Sequence, residues 1–181
     1  MSQQIFIALL RGVNVGGTSR VNMGELKSAM IDAGFQNVSS YINSGNIIFS
    51  SKKIDTKELS ILIATIIRKY FGHDIDVIVL SKNEWSGIIN NAPKWWGHDS
   101  TRKHNLIVLL RPDDIDSVIE AMGELNNNIE SAVPGNGVVY QSLSLKDIGK
   151  TTCGKLATNP ICKRMTIRNH NTVTKILTLL G

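Results

Sequence analysis

Cysteine is scarce in this sequence, with two among 181 residues, and that scarcity excludes a disulfide-built scaffold. Cys153 and Cys162 are also spaced too widely for a C-x-x-C redox or zinc pair, so they read as free thiols of a reducing compartment. Apolar runs are short. None approaches the roughly 18 residues a membrane helix needs, and strand-like residues begin at Ile5 with no charged-then-apolar leader before them. The expectation is a cytoplasmic protein with no membrane partner. Enzyme signatures are missing as well: there is no H-E-x-x-H, no G-x-S-x-G and no Cys/His arrangement with local support. His98 and His104 are too isolated to argue for a metal, no cofactor is implied, and no residue declares itself a nucleophile or general base. Aromatic residues amount to 6%, and Phe6, Phe49 and Tyr140 are scattered singly, which does not make the stacking platform of an RNA-recognition module.

What is present is an ordinary globular composition, 42% hydrophobic and 19% charged. A chain of this length buries roughly 70% of its unfolded surface, so it needs no covalent staples. The net charge of +5 is unevenly spread. From Lys146 to Gly181 seven Lys or Arg face one acid, Asp147, which makes that region +6 and leaves −1 for the rest. A local excess of this kind suits an anionic partner, whether phosphate, nucleotide or nucleic acid, although a solvated basic face has the same composition.

A repeat organises the chain. Phe6-Ile7-Ala8-Leu9-Leu10-Arg11 and Leu106-Ile107-Val108-Leu109-Leu110-Arg111 are nearly the same hexapeptide, 100 residues apart, and each ends at a turn signal, Gly12 or Pro112. Such short continuous apolar runs predict central strands covered on both faces. Each is followed by a helical pattern. Asn22-Met23-Gly24-Glu25 resembles a capping box, Leu26, Ala29, Met30 and Ala33 share a helical face, and Gly34 supplies the stop. Pro112 suits a first helical position ahead of Ile115, Val118, Ile119 and Met122. Hairpins come next, Val38 to Ile42 with Ile47 to Phe49, and Ile129 to Val133 with Val138 to Tyr140. A helix carrying Leu59, Leu62, Ile63, Ile66, Ile67 and Tyr70 on one face and a strand from Ile75 to Leu80 close the first half. The second half closes with a Gly-broken helix over Asp147 to Leu156, a strand near Met165 to Arg168 and a last helix around Thr172 to Leu180. The fold class expected is α+β, a tandem duplication of a ferredoxin-like βαββαβ unit plus a C-terminal helix. The first unit is placed at 1–82, a linker with a helix and a Trp-Trp loop at 83–103, and the second unit at 104–181, all within one compact domain.

The topology predicts where a function sits. A β1-α1-β2 crossover is parallel, so the loop leaving the first strand and the turn joining the second to the third fall at one end of the sheet. In the first half these segments are Arg11 to Arg20 and Asn43-Ser44-Gly45-Asn46. The loop carries about ten residues that its counterpart after Arg111 lacks, rich in Gly, Asn, Thr and Ser. Extra loop residues are frequent carriers of binding, and consecutive N–H groups of a Gly-rich loop make an anion-binding concavity. The candidate site for a small anionic ligand is Arg11, Asn14, Gly16, Gly17, Ser44 and Asn46, with Arg168 as a clamp should it face the loop. A nucleotide P-loop is set aside, because Thr18 stands where the motif requires Lys, and the string ending Gly149-Lys150-Thr151 begins with Ser144 instead of Gly. The alternative is weak nucleic-acid binding through Lys150, Lys155, Lys163 and Arg164, with Trp95 and Trp96 stacking a base or instead plugging a groove. A protein-interaction module without ligand chemistry is the third reading, and oligomeric state is left open.

Three strings carry a family resemblance: Leu9-Leu10-Arg11-Gly12-Val13-Asn14-Val15-Gly16-Gly17, Tyr41-Ile42-Asn43-Ser44-Gly45-Asn46, and Thr166-Ile167-Arg168-Asn169-His170-Asn171-Thr172-Val173-Thr174-Lys175. Together they resemble the bacterial domain-of-unknown-function 1697 family, essentially end to end. The resemblance implies a duplicated ferredoxin-like fold and a cytosolic bacterial protein, and it implies no activity. The chain departs from the family pattern at Thr18, where Lys is common, and at His170, where Trp is common. In the third string Arg168 closes a short strand, and Asn171 or Thr172 is the expected cap of the final helix.

Overall fold

Each near-identical hexapeptide becomes the central strand of its own four-stranded antiparallel sheet. The computed structural model describes residues 3–16, 19–52 and 55–181. These divide into two compact units, Met1–Ser86 with Ile176–Gly181, and Gly87–Lys175.

The first unit runs β1 (Gln4–Leu10), α1 (Met23–Asp32), β2 (Gln36–Tyr41), β3 (Asn46–Ser51), α2 (Thr56–Phe71) and β4 (Val77–Ser81). Its strand order is β2-β3-β1-β4. Because β1 and β2 are both antiparallel to β3, they run parallel to each other, as a right-handed crossover through α1 requires. Phe6, Ala8 and Leu10 alternate onto the face that packs on α1 and α2 with Ile47, Phe49, Val77 and Val79. Phe6 stacks on Phe49 at 5.6 Å, and Phe35 meets Phe49 edge-on at 5.0 Å. The opposite face, Ile7, Leu9, Ile48 and Ile78, is buried as well, which is why the strand reads as continuously apolar rather than alternating. Burial of each such side chain contributes about 1.5–3 kcal/mol.

The helices start and stop where local chemistry dictates. Asn22 caps α1, its Oδ1 accepting from the N–H groups of Gly24 and Glu25 while its Nδ2 donates to Glu25. Asp55 caps α2 by accepting from Glu58 N–H, and α2 ends on Gly72 in the left-handed region at φ +69°. Two positions expected on buried helical faces are exposed. Ala33 is the C-cap of α1, and Tyr70 lies one residue from the end of α2, where its ring is left in solvent and Lys69 reaches over it. Asp74 and Asp76 are exposed and lie beside Arg68 and Arg11, at 3.3 and 3.8 Å respectively.

The second unit follows α3 (Lys82–Asn90) and runs β5 (Arg102–Leu109), α4 (Ile115–Met122), β6 (Glu130–Pro134), β7 (Val138–Ser144), α5 (Cys153–Thr158) and β8 (Met165–Asn169), with α6 (His170–Leu180) closing the chain. Its strand order, β6-β7-β5-β8, repeats that of the first sheet element for element. Two four-stranded antiparallel sheets and six helices thus form an α+β architecture consistent with a duplicated βαββαβ pattern. Ile107, Leu109, Val139 and Met165 pack on Val118 and Met122 of α4 and Leu156 of α5. The predicted Gly-broken helix resolves into a 3-10 turn at Ile148–Lys150 and α5, and a further 3-10 turn at Pro160–Arg164 was not anticipated. Neither Asn171 nor Thr172 caps the last helix. That helix begins two residues earlier than expected, and Asn169 Oδ1 accepts from Asn171 N–H in the capping position.

Glu130 joins the irregular part of this unit to its sheet. It is 2% exposed, and one carboxylate oxygen accepts both the N–H and the hydroxyl of Thr152 at 2.8 Å, just ahead of α5. The other oxygen accepts from Asn126 N–H at 3.3 Å. Glu130→Ala leaves the buried Thr152 donors without an acceptor, so a loss of about 3 kcal/mol in urea unfolding is expected. A loss below about 1 kcal/mol would show that α5 is held by its apolar contacts alone.

Candidate functional site

The extra loop and the β2–β3 turn share one rim, as the topology predicts. Asn14 makes the junction: its Nδ2 donates to the carbonyls of Asn43 and Val21, each at 2.9 Å, and its Oδ1 accepts from Val21 N–H at 3.0 Å. Beneath it, Leu10 N–H donates to the Gly45 carbonyl at 2.8 Å. Gly45 is required there. At φ +78° it sits so close to the loop that a Cβ would lie 2.5 Å from Val13 Cγ2 and 2.6 Å from Leu10 Cβ. Val13 itself is 1% exposed and anchors the loop into the core of the first unit.

The rim backbone is unusual. Gly12, Asn14, Gly16 and Ser19 all have φ between +49° and +66°, and Ile42 in the facing turn has φ +51°. For a β-branched residue that conformation is a strained outlier, of the kind held in place only by its surroundings. Asn46 is fully buried and donates from Nδ2 to the Tyr41 carbonyl and to Ser44 Oγ. Asn14 and Asn46 therefore shape the rim, with their amide groups engaged inside it. Arg11 is partly exposed and stands 3.8 Å from the exposed Asp76 carboxylate, while its N–H donates to the Asp76 carbonyl. Gly17 and Thr18 lie outside the described residues.

Arg168 belongs to the second unit. On β8 its Nη1 donates to Thr166 Oγ1 at 2.7 Å and to the Ile167 carbonyl at 3.0 Å, and burial lowers its pKa to about 10, so it keeps its charge at neutral pH. The residues of the basic tail have varied settings. Lys150 pairs with Asp147 at 2.8 Å, Arg164 pairs with Asp114 at 3.1 Å, and Lys155 and Lys163 are exposed. The hydrogen bond from Lys150 holds the Asp147 carboxyl below the usual carboxylate range. Cys162 is half-buried; the Cys153 side chain lies outside the described residues.

The Trp-Trp segment is packed within the second unit. Trp96 is 3% exposed, donates its indole N–H to the Asn105 carbonyl at 3.0 Å, and meets Tyr140 and His170 edge-on at 5.6 and 4.5 Å. Its neighbour Trp95 is half-buried, with its ring 6.3 Å from that of His104 and inclined to it by 30°. Gly97 is the hinge of this packing. It has φ +89°, and a Cβ there would fall 2.1 Å from His170 Nε2. His104 is buried. Its Nε2 faces the Asp99 carbonyl at 3.0 Å, which can only accept, so the proton sits on Nε2 and Nδ1 has no partner among the described residues. Sequence reasoning did not group Trp96, His104 and His170, because nothing in their spacing signals contact. No group of three or more His, Cys, Asp or Glu suited to a metal ion occurs among the described residues, and no described helix is long and apolar enough to cross a membrane.

Two like α+β units, one with a glycine-rich rim, define a fold without dictating a chemistry. The comparisons agree with that reading. The model of the family described as "Protein of unknown function (DUF1697)" matches residues 3–140, and the chain belongs to this family. It is also similar to a solved structure, that of the conserved bacterial protein SP0830 from Streptococcus pneumoniae, with a TM-score of 0.86 and 31% identity over 99% of this chain and 100% of that one. No curated protein matches the chain.

Two expectations follow from the geometry. Asn14→Gly keeps the left-handed backbone but removes all three side-chain hydrogen bonds. It is expected to cost about 1–2 kcal/mol and to speed proteolysis between Arg11 and Val21; cleavage at the wild-type rate would mean the loop is held by Val13 alone. The second concerns pH. Burial, with smaller contributions from His104 and His98, lowers the pKa of His170 against a hydrogen bond to Asn171 Oδ1 that raises it. The unfolded chain therefore takes up this proton first as pH falls below about 6.5, and stability declines from there through the folded-state value. Urea midpoints measured from about pH 7.5 to about pH 5 should fall in the wild type and fall less in His170→Phe. Equal slopes would assign the effect to other groups.

Proposed function

We propose that the rim formed by the β1–α1 loop and the β2–β3 turn binds a small anionic ligand bearing phosphate or carboxylate. The observation that carries this reading is the run of left-handed residues at Gly12, Asn14 and Gly16 directly after Arg11. Backbone that turns this way gathers N–H groups into a concave anion nest, and the exposed part of Arg11 adds a cation able to grip the ligand with two donors. The N-terminus of α1 does not serve, because Asn22 already occupies it. Arg11, Gly16 and Ser44 are the contact residues in this reading, and Asn14 and Asn46 keep the nest in shape; the candidate Gly17 lies outside the described residues. Each unit is read as ferredoxin-like, supported by the first strand lying between the third and fourth in both sheets. A cytosolic setting fits a chain of this length with only two cysteines.

A thermal-shift screen of the full chain against nucleotides, sugar phosphates and small carboxylates is the direct test. Ligand at about 100 times its Kd contributes about 2.7 kcal/mol, which for a chain of this size raises the midpoint by about 5–10 °C. Arg11→Ala is expected to abolish the shift. If no ligand raises the midpoint, or if Arg11→Ala responds like the wild type, the rim is not an anion site.

A further inference from the structure

The second unit carries an open surface groove. It lies between α4 and the 3-10 turn at Pro160–Arg164, has a volume of about 650 Å³, and is lined by Ser117, Glu120, Ala121, Pro160, Lys163 and Arg164 among others. That volume falls within the range of small-molecule sites. We propose that this groove binds a phosphorylated small molecule with a hydroxyl- or amine-bearing body, such as a nucleoside diphosphate.

The two walls differ in chemistry. The 3-10 turn presents the exposed Lys163 and Arg164 side by side. Its position is fixed by Pro160 at the first helical residue and by Asn159, whose Oδ1 accepts from Ile161 N–H at 2.9 Å. Among the described residues Arg164 is anchored at one nitrogen: Nη1 donates to Asp114 Oδ1 at 3.1 Å, while the side chain remains 58% exposed. Asp114 is buried, and its Oδ2 has no hydrogen-bond partner among the described residues. A buried carboxylate in that state holds its cation firmly, since losing it leaves an uncompensated charge. The guanidinium is thus oriented in advance, with donors left over for a phosphate.

The opposite wall offers the Ser117 hydroxyl and the Glu120 carboxylate, both exposed. A carboxylate repels a bare anion but accepts hydrogen bonds from sugar hydroxyls or an amine, so the groove selects a molecule with an anionic end and a donor end. Ala121, Pro160 and Ile161 supply apolar surface between them. This assignment also accounts for part of the +6 tail region, which the rim of the first unit leaves unused.

Calorimetric titration of the full chain with ADP tests the proposal, with inorganic pyrophosphate as the bare-anion probe. ADP is expected to bind more tightly than pyrophosphate, Lys163→Glu to weaken ADP by about tenfold or more, and Ser117→Trp, which fills the groove without changing charge, to remove binding. Arg164→Ala is avoided because it would orphan Asp114; Arg164→Lys keeps the charge, loses the fork and should weaken ADP while melting like the wild type. Arg11→Ala separates the two sites, since ADP bound in the groove is indifferent to it. The groove is not the site if ADP fails to bind, if pyrophosphate binds as tightly as ADP, or if either Lys163→Glu or Ser117→Trp binds ADP like the wild type. Loss of ADP binding in Arg11→Ala alone would move the ligand to the rim and equally overturn the groove.

Discussion

A strand that is hydrogen-bonded along both edges and covered on both faces admits almost no polar side chain, and each half of this chain is built around one. Of β1, Phe6 to Leu10 are fully buried while antiparallel partners occupy both sides. Strand β5 is placed identically between β7 and β8. This constraint expels chemistry from the middle of each sheet toward its ends and its helical layer. Two of the polar residues that do remain inside are matched to each other. Asn105 donates from Nδ2 to Gln141 Oε1 at 3.0 Å, and its carbonyl accepts the Trp96 indole N–H. Such matching is what a buried amide needs to avoid a desolvation penalty of about 1–3 kcal/mol.

The same constraint explains why the two candidate sites look unlike each other. At the end of the first sheet the chain leaves the strand through a long polar loop, and most of the polar side chains there are used to hold the loop in its left-handed path. In the second unit the corresponding connection is short, because Pro112 begins a 3-10 turn within two residues of Leu110. There, polar groups accumulate on the outside of the helical layer instead. The two units share their strand order and differ in their connections, which is the expected division of labour between core and loops.

The architecture was legible because its signals are local and periodic. Two apolar hexapeptides, two glycine-containing hairpins and the helical spacing of Leu59, Ile63, Ile66 and Ile67 each report on neighbours a few residues away. The rim was legible for a different reason: parallel crossovers fix which loops share an end of a sheet, so Asn14 and Asn43 could be brought together from topology alone. What stayed hidden depends on contacts that no spacing encodes. The amide of Asn14 closes the loop, an engagement that its place in the sequence does not announce. His170, one of the departures from the family pattern, packs on Trp96 and fills the space above Gly97. The 3-10 turn after Asn159 has a cap and a proline in the right places, but it is too short to leave a periodic signature.

Strand β2 forms an outer margin of the first sheet, and it is not a clean one. Its pairing with β3 loses register between Gln36 and Ser39, Asn37 turns left-handed at φ +52°, and the Asn37 side chain donates to Ser50 Oγ. An incoming extended chain would therefore meet donors and acceptors at uneven intervals and could not zip along them. The kink at Asn37 thus makes this border a poor template for any further strand.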